Sequence, residues 1–163
     1  MNLINVRPAA RGDLDTIVLF NTQLAKESEG ILLEPDTLSA GVGAVLGDIS
    51  KARYFLAETL NAVGTLEIAG QLMITYEWSD WRNGMFVWIQ SVYVREAYRR
   101  KGVFRALFQH VQEFASTSEY CGIRLYVHDD NRLAQQIYLR LGMVEAGYKV
   151  LETPDELKDL DKS

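Results

Sequence analysis

The stretch Arg95–Val111, REAYRRKGVFRALFQHV, decides how this chain is read. It sets Gly102 between the strand-like Ile89–Val94 upstream and an apolar pattern at helical spacing, Val103, Leu107 and Val111, with Phe104, Phe108 and Ala115 beside them. A glycine at such a junction lets the backbone turn sharply, and the amides of the first helical turn then face whatever lies ahead. Arg95, Arg99, Arg100, Lys101 and Arg105 crowd this turn in a chain whose formal net charge is −5. Helix-end partial charge and guanidinium groups together suit an anion, and a pyrophosphate in particular. A solvated basic face is the plainer alternative. The stretch is not the phosphate loop of an ATPase, which needs a second upstream glycine and a Lys-Ser/Thr pair, nor a dinucleotide fingerprint with three glycines.

Working outward, the segments Tyr54–Thr59, Leu66–Trp78 and Phe86–Val94 are rich in aromatic and β-branched residues and read as strands, the last two joined through an Asn83-Gly84 turn. Leu3–Arg7 reads as a first strand. Asp13 caps a helix through Leu14, Ile17, Val18 and Ala25, and Asp36 caps another through Leu38, Val42 and Val45. Downstream, Ile123–Val127 reads as a strand, Leu133–Leu141 as a helix closed by Gly142, and Val144–Leu151 as a final strand. The tail, 152–163, is mostly charged and reads as a frayed end. The pattern predicts an α/β (α+β) fold with a mixed sheet packed on both faces.

With 163 residues and 48% hydrophobic content, the chain is expected to form a single domain, 1–163. One cysteine, Cys121, excludes an internal disulfide and is compatible with a reducing compartment. No signal-like apolar run opens the chain, and no stretch approaches the roughly twenty apolar residues of a membrane span. A cytoplasmic protein without membrane association is therefore expected. Net acidity argues against a general nucleic-acid binder, which needs a basic face larger than one short cluster.

The strand Ile89–Val94 followed by Arg99-Arg100-Lys101-Gly102-Val103 resembles the acetyl-coenzyme A signature of the GNAT superfamily of N-acetyltransferases, Arg/Gln-x-x-Gly-x-Gly/Ala. Phe104 stands where that family generally has glycine or alanine. A second block, Asn131-Arg132-Leu133-Ala134, then Tyr138, then Leu141-Gly142-Met143, is similar to the family's Asn-x-x-Ala-x-x-x-Tyr-x-x-x-Gly-Phe segment. The resemblance implies a mostly antiparallel sheet whose two central parallel strands splay apart after Val94 and before His128. It implies acetyl-coenzyme A as cosubstrate, with its pantetheine arm held near Val92 and Val94 and its pyrophosphate at Arg99–Arg105. It further implies Val94 N–H as oxyanion donor, Tyr138 as the acid that protonates the departing thiolate, and Asn131 and Ala134 as further contacts of the cosubstrate. Tyr138, beside Ile137 and Leu141, also suits a packed core.

The expected reaction is acetyl transfer to a primary amine of a small molecule by direct attack on the thioester. A non-catalytic acyl-coenzyme A sensor on the same fold is the rival, and a homodimer is compatible with either. An alkylamine has a pKa near ~10.4, so a base or a water path is needed. Glu29, Glu34, Glu77 and Asp80 are candidates at the acceptor mouth, with Trp88 as a cation-facing aromatic. Each carboxylate also suits a solvated surface. His128-Asp129-Asp130 lacks a further ligand at metal spacing and reads as the polar start of a helix, so no metal is expected.

Overall fold

The computed structural model describes residues 4–117 and 119–153. Leu3 and the tail beyond 153 lie outside the described residues. The chain divides into two compact units, the boundary falling between Tyr126 and Val127. No helix of the described residues is long and apolar enough to cross a membrane.

The first unit is built on one sheet. Its elements run β1 (Asn5–Pro8), α1 (Leu14–Glu29), α2 (Pro35–Gly47), β2 (Arg53–Leu60), β3 (Leu66–Ser79), β4 (Gly84–Val94), α3 (Val103–Phe114) and β5 (Tyr120–Leu125), with short 3₁₀ turns at Arg11–Asp13 and Glu96–Tyr98. The strands lie in chain order, antiparallel from β1 to β4 and parallel between β4 and β5. α3 is the crossover that a parallel pair requires. Side chains of β2 alternate between two layers. Tyr54 and Leu56 meet Ile17 of α1 and Val42 of α2, while Phe55 turns the other way, edge-on to His110 and Phe114 of α3 at 4.7 and 5.8 Å. Val103, Leu107, Phe108 and Val111 are the buried stripe of α3 that the sequence periodicity marked.

The second unit holds α4 (Arg132–Arg140). Gly142, at φ +89°, follows its C-terminus as expected.

The α/β class and the mixed sheet are as read from the sequence, and four details differ. Val144–Leu151 forms no strand: Gly147 at φ +76° interrupts the extended run, and the described residues of its own unit offer no strand to pair with. The parallel pair β4–β5 is consequently the last, not the central, pair of the described sheet. The β3–β4 turn is a four-residue loop, since Ser79 pairs with Gly84, and only Asn83 takes a positive φ. Gly84 is needed for packing instead: a Cβ there would lie 2.6 Å from Cys121 Sγ. Finally, neither predicted cap acts as expected. Asp13 precedes α1 without capping it, because its carboxylate is held by both terminal nitrogens of Arg7 at 2.8 and 2.9 Å and by Ala10 N–H. Pro35 at the first position of α2 moves the cap to Glu34, which accepts from Asp36 and Thr37 N–H.

Candidate active site

β4 and β5 part company earlier than expected. Their pairing ends at Ile89↔Leu125, yet β4 runs on to Val94 beside β3 alone. Along that run the register passes from Met73↔Gln90 to Gln71↔Tyr93, so Ser91 and Val92 both face Leu72, with Ser91 at φ +46°. This is a β-bulge, which re-aims the strand beyond it. Arg95 N–H donates to Ala69 O at 2.9 Å, so by strand alternation the peptide groups of Val94 face away from β3. Val94 C=O accepts from Arg99 Nε at 3.0 Å on that side, and Val94 N–H points there too.

Beneath the bulge lies a buried polar network that the sequence did not announce. Asn21 of α1 donates to Tyr54 OH at 3.0 Å, and Gln71 Nε2 donates to Asn21 Oδ1 at 2.7 Å and to Ser91 O at 3.3 Å. Burial pushes the Tyr54 hydroxyl above its ordinary pKa. The available signal was a polar residue on an apolar stripe: Asn21 beside Ile17 and Phe20, Gln71 inside an apolar strand.

The basic turn divides its charges. Gly102 is in the left-handed region at φ +87° as the N-cap of α3, and the first intrahelical bond runs from Ala106 N–H to Gly102 O. Helix geometry leaves the amides ahead of that bond without an intrahelical carbonyl. Arg99 is already engaged: it binds Val94 O, forms an ion pair with Glu27 of α1 and lies over the Tyr93 ring. Arg95 pairs with Glu67 at 3.0 Å, and Tyr98 OH donates to the same Oε2 at 2.7 Å, which holds the Glu67 carboxyl below its ordinary pKa. Arg100, Lys101 and Arg105 have no carboxylate partner among the described residues, and Lys101 rests over Tyr98. Phe104 is half-buried with its ring 6.0 Å from Phe108, along the flank of α3.

The acceptor candidates separate in a similar way. Trp88 Nε1 donates to Glu77 Oε2 at 2.7 Å, and Arg124 Nη1 donates to Glu77 Oε1 at 3.0 Å. Glu34 is occupied as the α2 cap, Asp80 accepts from Trp81 N–H in the β3–β4 loop, and Glu29 is exposed at the end of α1. Arg124 had no signal in sequence, being one basic residue in a strand.

In the second unit, Asn131 Oδ1 accepts from Ala134 N–H at 3.1 Å and so caps α4. Gln135 Nε2 donates to the carbonyls of His128 and Asp129, the polar helix start anticipated for this turn. Tyr138 is half-buried, and burial raises its pKa above 10.0.

Residues 33–143 match the acetyltransferase (GNAT) family model. The protein is 26% identical over 148 residues to the thialysine N-epsilon-acetyltransferase of Bos taurus, covering 87% of this chain and 85% of that protein. A possible acetyltransferase of Clostridium difficile 630 is 45% identical, with a TM-score of 0.84 over 93% of this chain and 97% of that one. A predicted acetyltransferase with acetyl-CoA from Clostridium acetobutylicum shares the fold at a TM-score of 0.74 and 17% identity, over 94% and 98% of the two chains.

Proposed function

Because the chain belongs to the GNAT acetyltransferase family, we propose that it transfers the acetyl group of acetyl-coenzyme A directly to a primary amine of a small molecule. The observation that carries this reading is the run of β4 beyond Ile89, which leaves β5 and stays beside β3 alone, with the Val94 peptide turned outward just ahead of a glycine-opened helix N-terminus. These residues fit the cosubstrate. The α3 amides, with Arg100, Lys101 and Arg105, suit its pyrophosphate, and the outward edge at Val92 and Val94 suits its amide-bearing arm. When bound, acetyl-coenzyme A supplies an activated acyl group and a thiolate leaving group.

The protein's own residues do the rest. Val94 N–H stabilises the acyl oxygen as negative charge develops on it. The buried Asn21–Gln71 pair, bonded to Ser91 O, fixes the bulge and with it the aim of Val94. Tyr138, whose hydroxyl holds its proton at neutral pH as any tyrosine does and is pushed further up by burial, is assigned the proton for the departing sulfur. The attacking nitrogen forms the new bond to the acyl carbon as the carbon–sulfur bond breaks, and its surplus proton leaves through water. Asn131 contributes by setting the start of the Tyr138 helix. The thialysine N-epsilon-acetyltransferase likeness supports an amine acceptor.

The test is thiol release from acetyl-coenzyme A against a panel of small primary amines, with melting temperature followed as acetyl-coenzyme A is added. Amine-dependent thiol release and a cosubstrate-dependent rise in Tm are expected. A rise in Tm without turnover on any amine would make the protein an acyl-coenzyme A sensor instead.

A further inference from the structure

The sheet face that carries α1 and α2 does not end with them. From Tyr54 on β2 the register leads to Met73 on β3, and two residues on to Thr75, which pairs with Trp88 of β4, which pairs with Arg124 of β5. Glu77, two residues beyond Thr75, joins Trp88 and Arg124 through its two oxygens. The result is a carboxylate and a guanidinium set among aromatic rings. Arg124 Cζ lies 3.7 Å from the Phe86 ring centroid and 5.9 Å from that of Trp88, and Trp88 packs on Tyr126 at 4.4 Å. Trp88↔Arg124 is the rung before the last β4–β5 pair, Ile89↔Leu125, so the cluster borders the point where the two strands part.

Resting on the acetyl-transfer reading above, we propose that Arg124 recognises the acceptor, and that the acceptor is an amine that also carries a carboxylate. A site for a bare cation needs surplus negative charge. Here the Glu77 carboxylate is already neutralised by Arg124, and both of its oxygens are engaged. The group with capacity to spare is the guanidinium. It has five N–H donors, and one of them is used among the described residues. Glu77 holds its Nη1, the Phe86 ring centroid lies 3.7 Å from its Cζ, and the Arg124 side chain keeps 29% of its surface exposed. A guanidinium held at Nη1 and against a ring, with donors to spare, can match a carboxylate by two parallel hydrogen bonds, a geometry that an ammonium acceptor cannot exploit. Glu77 is thus a positioning residue for Arg124.

The experiment compares matched acceptors, lysine, lysinamide, cadaverine and a short peptide ending in lysine, by kcat/KM for acetyl transfer. Each is also titrated calorimetrically into the coenzyme A-loaded protein. Lysine should exceed lysinamide and cadaverine by about tenfold or more, the size of a lost charge-assisted pair of hydrogen bonds. In Arg124→Gln the lysine value should fall to that of cadaverine, and Arg124→Lys, which keeps charge without the fork, should restore only part of it. The peptide distinguishes a free amino acid from the terminal carboxylate of a polypeptide as the source of the anion. Equal or better kcat/KM for cadaverine and lysinamide, or a lysine preference that survives in a folded Arg124→Gln protein, overturns the proposal while leaving acetyl transfer intact. Arg124-dependent binding of carboxylated amines with no acetylation of any amine would do the reverse.

Discussion

The turn at Gly102 and the sheet face at Trp88 both concentrate charge, and they treat it in opposite ways. At the turn, Arg100, Lys101 and Arg105 are left without carboxylate partners among the described residues, and the helix end adds partial charge of the same sign. On the face, Glu77 and Arg124 cancel one another and are locked by Trp88 and Phe86. An uncompensated cluster attracts a multivalent anion through space and tolerates looseness, because long-range attraction depends on net charge rather than on a fixed angle. A compensated, stacked pair attracts little at a distance but presents a shaped edge. The first arrangement suits a pyrophosphate common to every turnover, and the second suits discrimination among acceptors.

The largest expected effect is at the turn itself. Gly102→Val should remove the acetyl-coenzyme A-dependent rise in Tm altogether, since a β-branched residue at φ +87° is strained whatever room surrounds it, and the nearest atom to an added Cβ is Ile4 Cδ1 at an ordinary 3.8 Å. A full rise in that variant would move the cosubstrate away from α3.

Next in size, Tyr138→Phe should lower kcat by about ten- to a thousandfold while cosubstrate affinity stays within a few fold, as expected on losing a general acid. Since burial raises the wild-type pKa, the alkaline fall of a kcat–pH profile should lie to the high-pH side of an ordinary tyrosine's. Unchanged turnover in the phenylalanine protein would return Tyr138 to a packing role.

The division of charge within the turn gives a smaller and sharper test. Arg100→Gln and Arg105→Gln should each weaken acetyl-coenzyme A by about three- to tenfold at low salt and by less as salt rises. Arg99→Gln should change that affinity by less than about twofold, because its guanidinium already serves Glu27 and Val94 O. Equal effects at all three positions, measured by titration at two salt concentrations, would erase the distinction drawn between open and paired cations.

The smallest effect extends the paired-charge theme to the start of α1, where Arg7 bridges Asp13 and Glu58 at 2.8 and 2.7 Å. The hydrogen bond from Arg7 holds the Asp13 carboxyl below its ordinary value of 3.8. A depressed folded pKa contributes stability that is present above the unfolded value and is lost as pH falls below about 4 through the folded one. Asp13→Asn should therefore lower Tm at neutral pH and flatten the acid limb of a Tm–pH curve. A parallel, unflattened limb would show that another group governs acid unfolding.

Much of the fold was legible because periodicity reports which side of a segment is buried. The stripe Val103, Leu107, Val111 and the aromatic strands needed no distant information. Val144–Leu151 carried the same strand signal and failed, because a strand exists only beside a partner and the described residues of its unit supply none. Asp13 and Asp36 carried cap chemistry that nearby competitors redirected, Arg7 in one case and Pro35 with Glu34 in the other.

The sequence by itself determined the glycine-opened turn at the head of α3, the cations around it and the second block through Tyr138, because each is a matter of neighbours along the backbone. Tertiary structure alone decided which cations remain open and which groups meet on the face beside the strand parting. Arg95 and Glu67 stand 28 positions apart, Arg99 and Glu27 72, Arg124 and Glu77 47, and no local pattern specifies such pairs. Arg124 meets Glu77 through the β3–β4 and β4–β5 registers. Arg95 meets Glu67 beyond the bulge at Ser91, whose extra residue shifts the β3–β4 register, and Arg99 meets Glu27 where α1 packs near the end of β4.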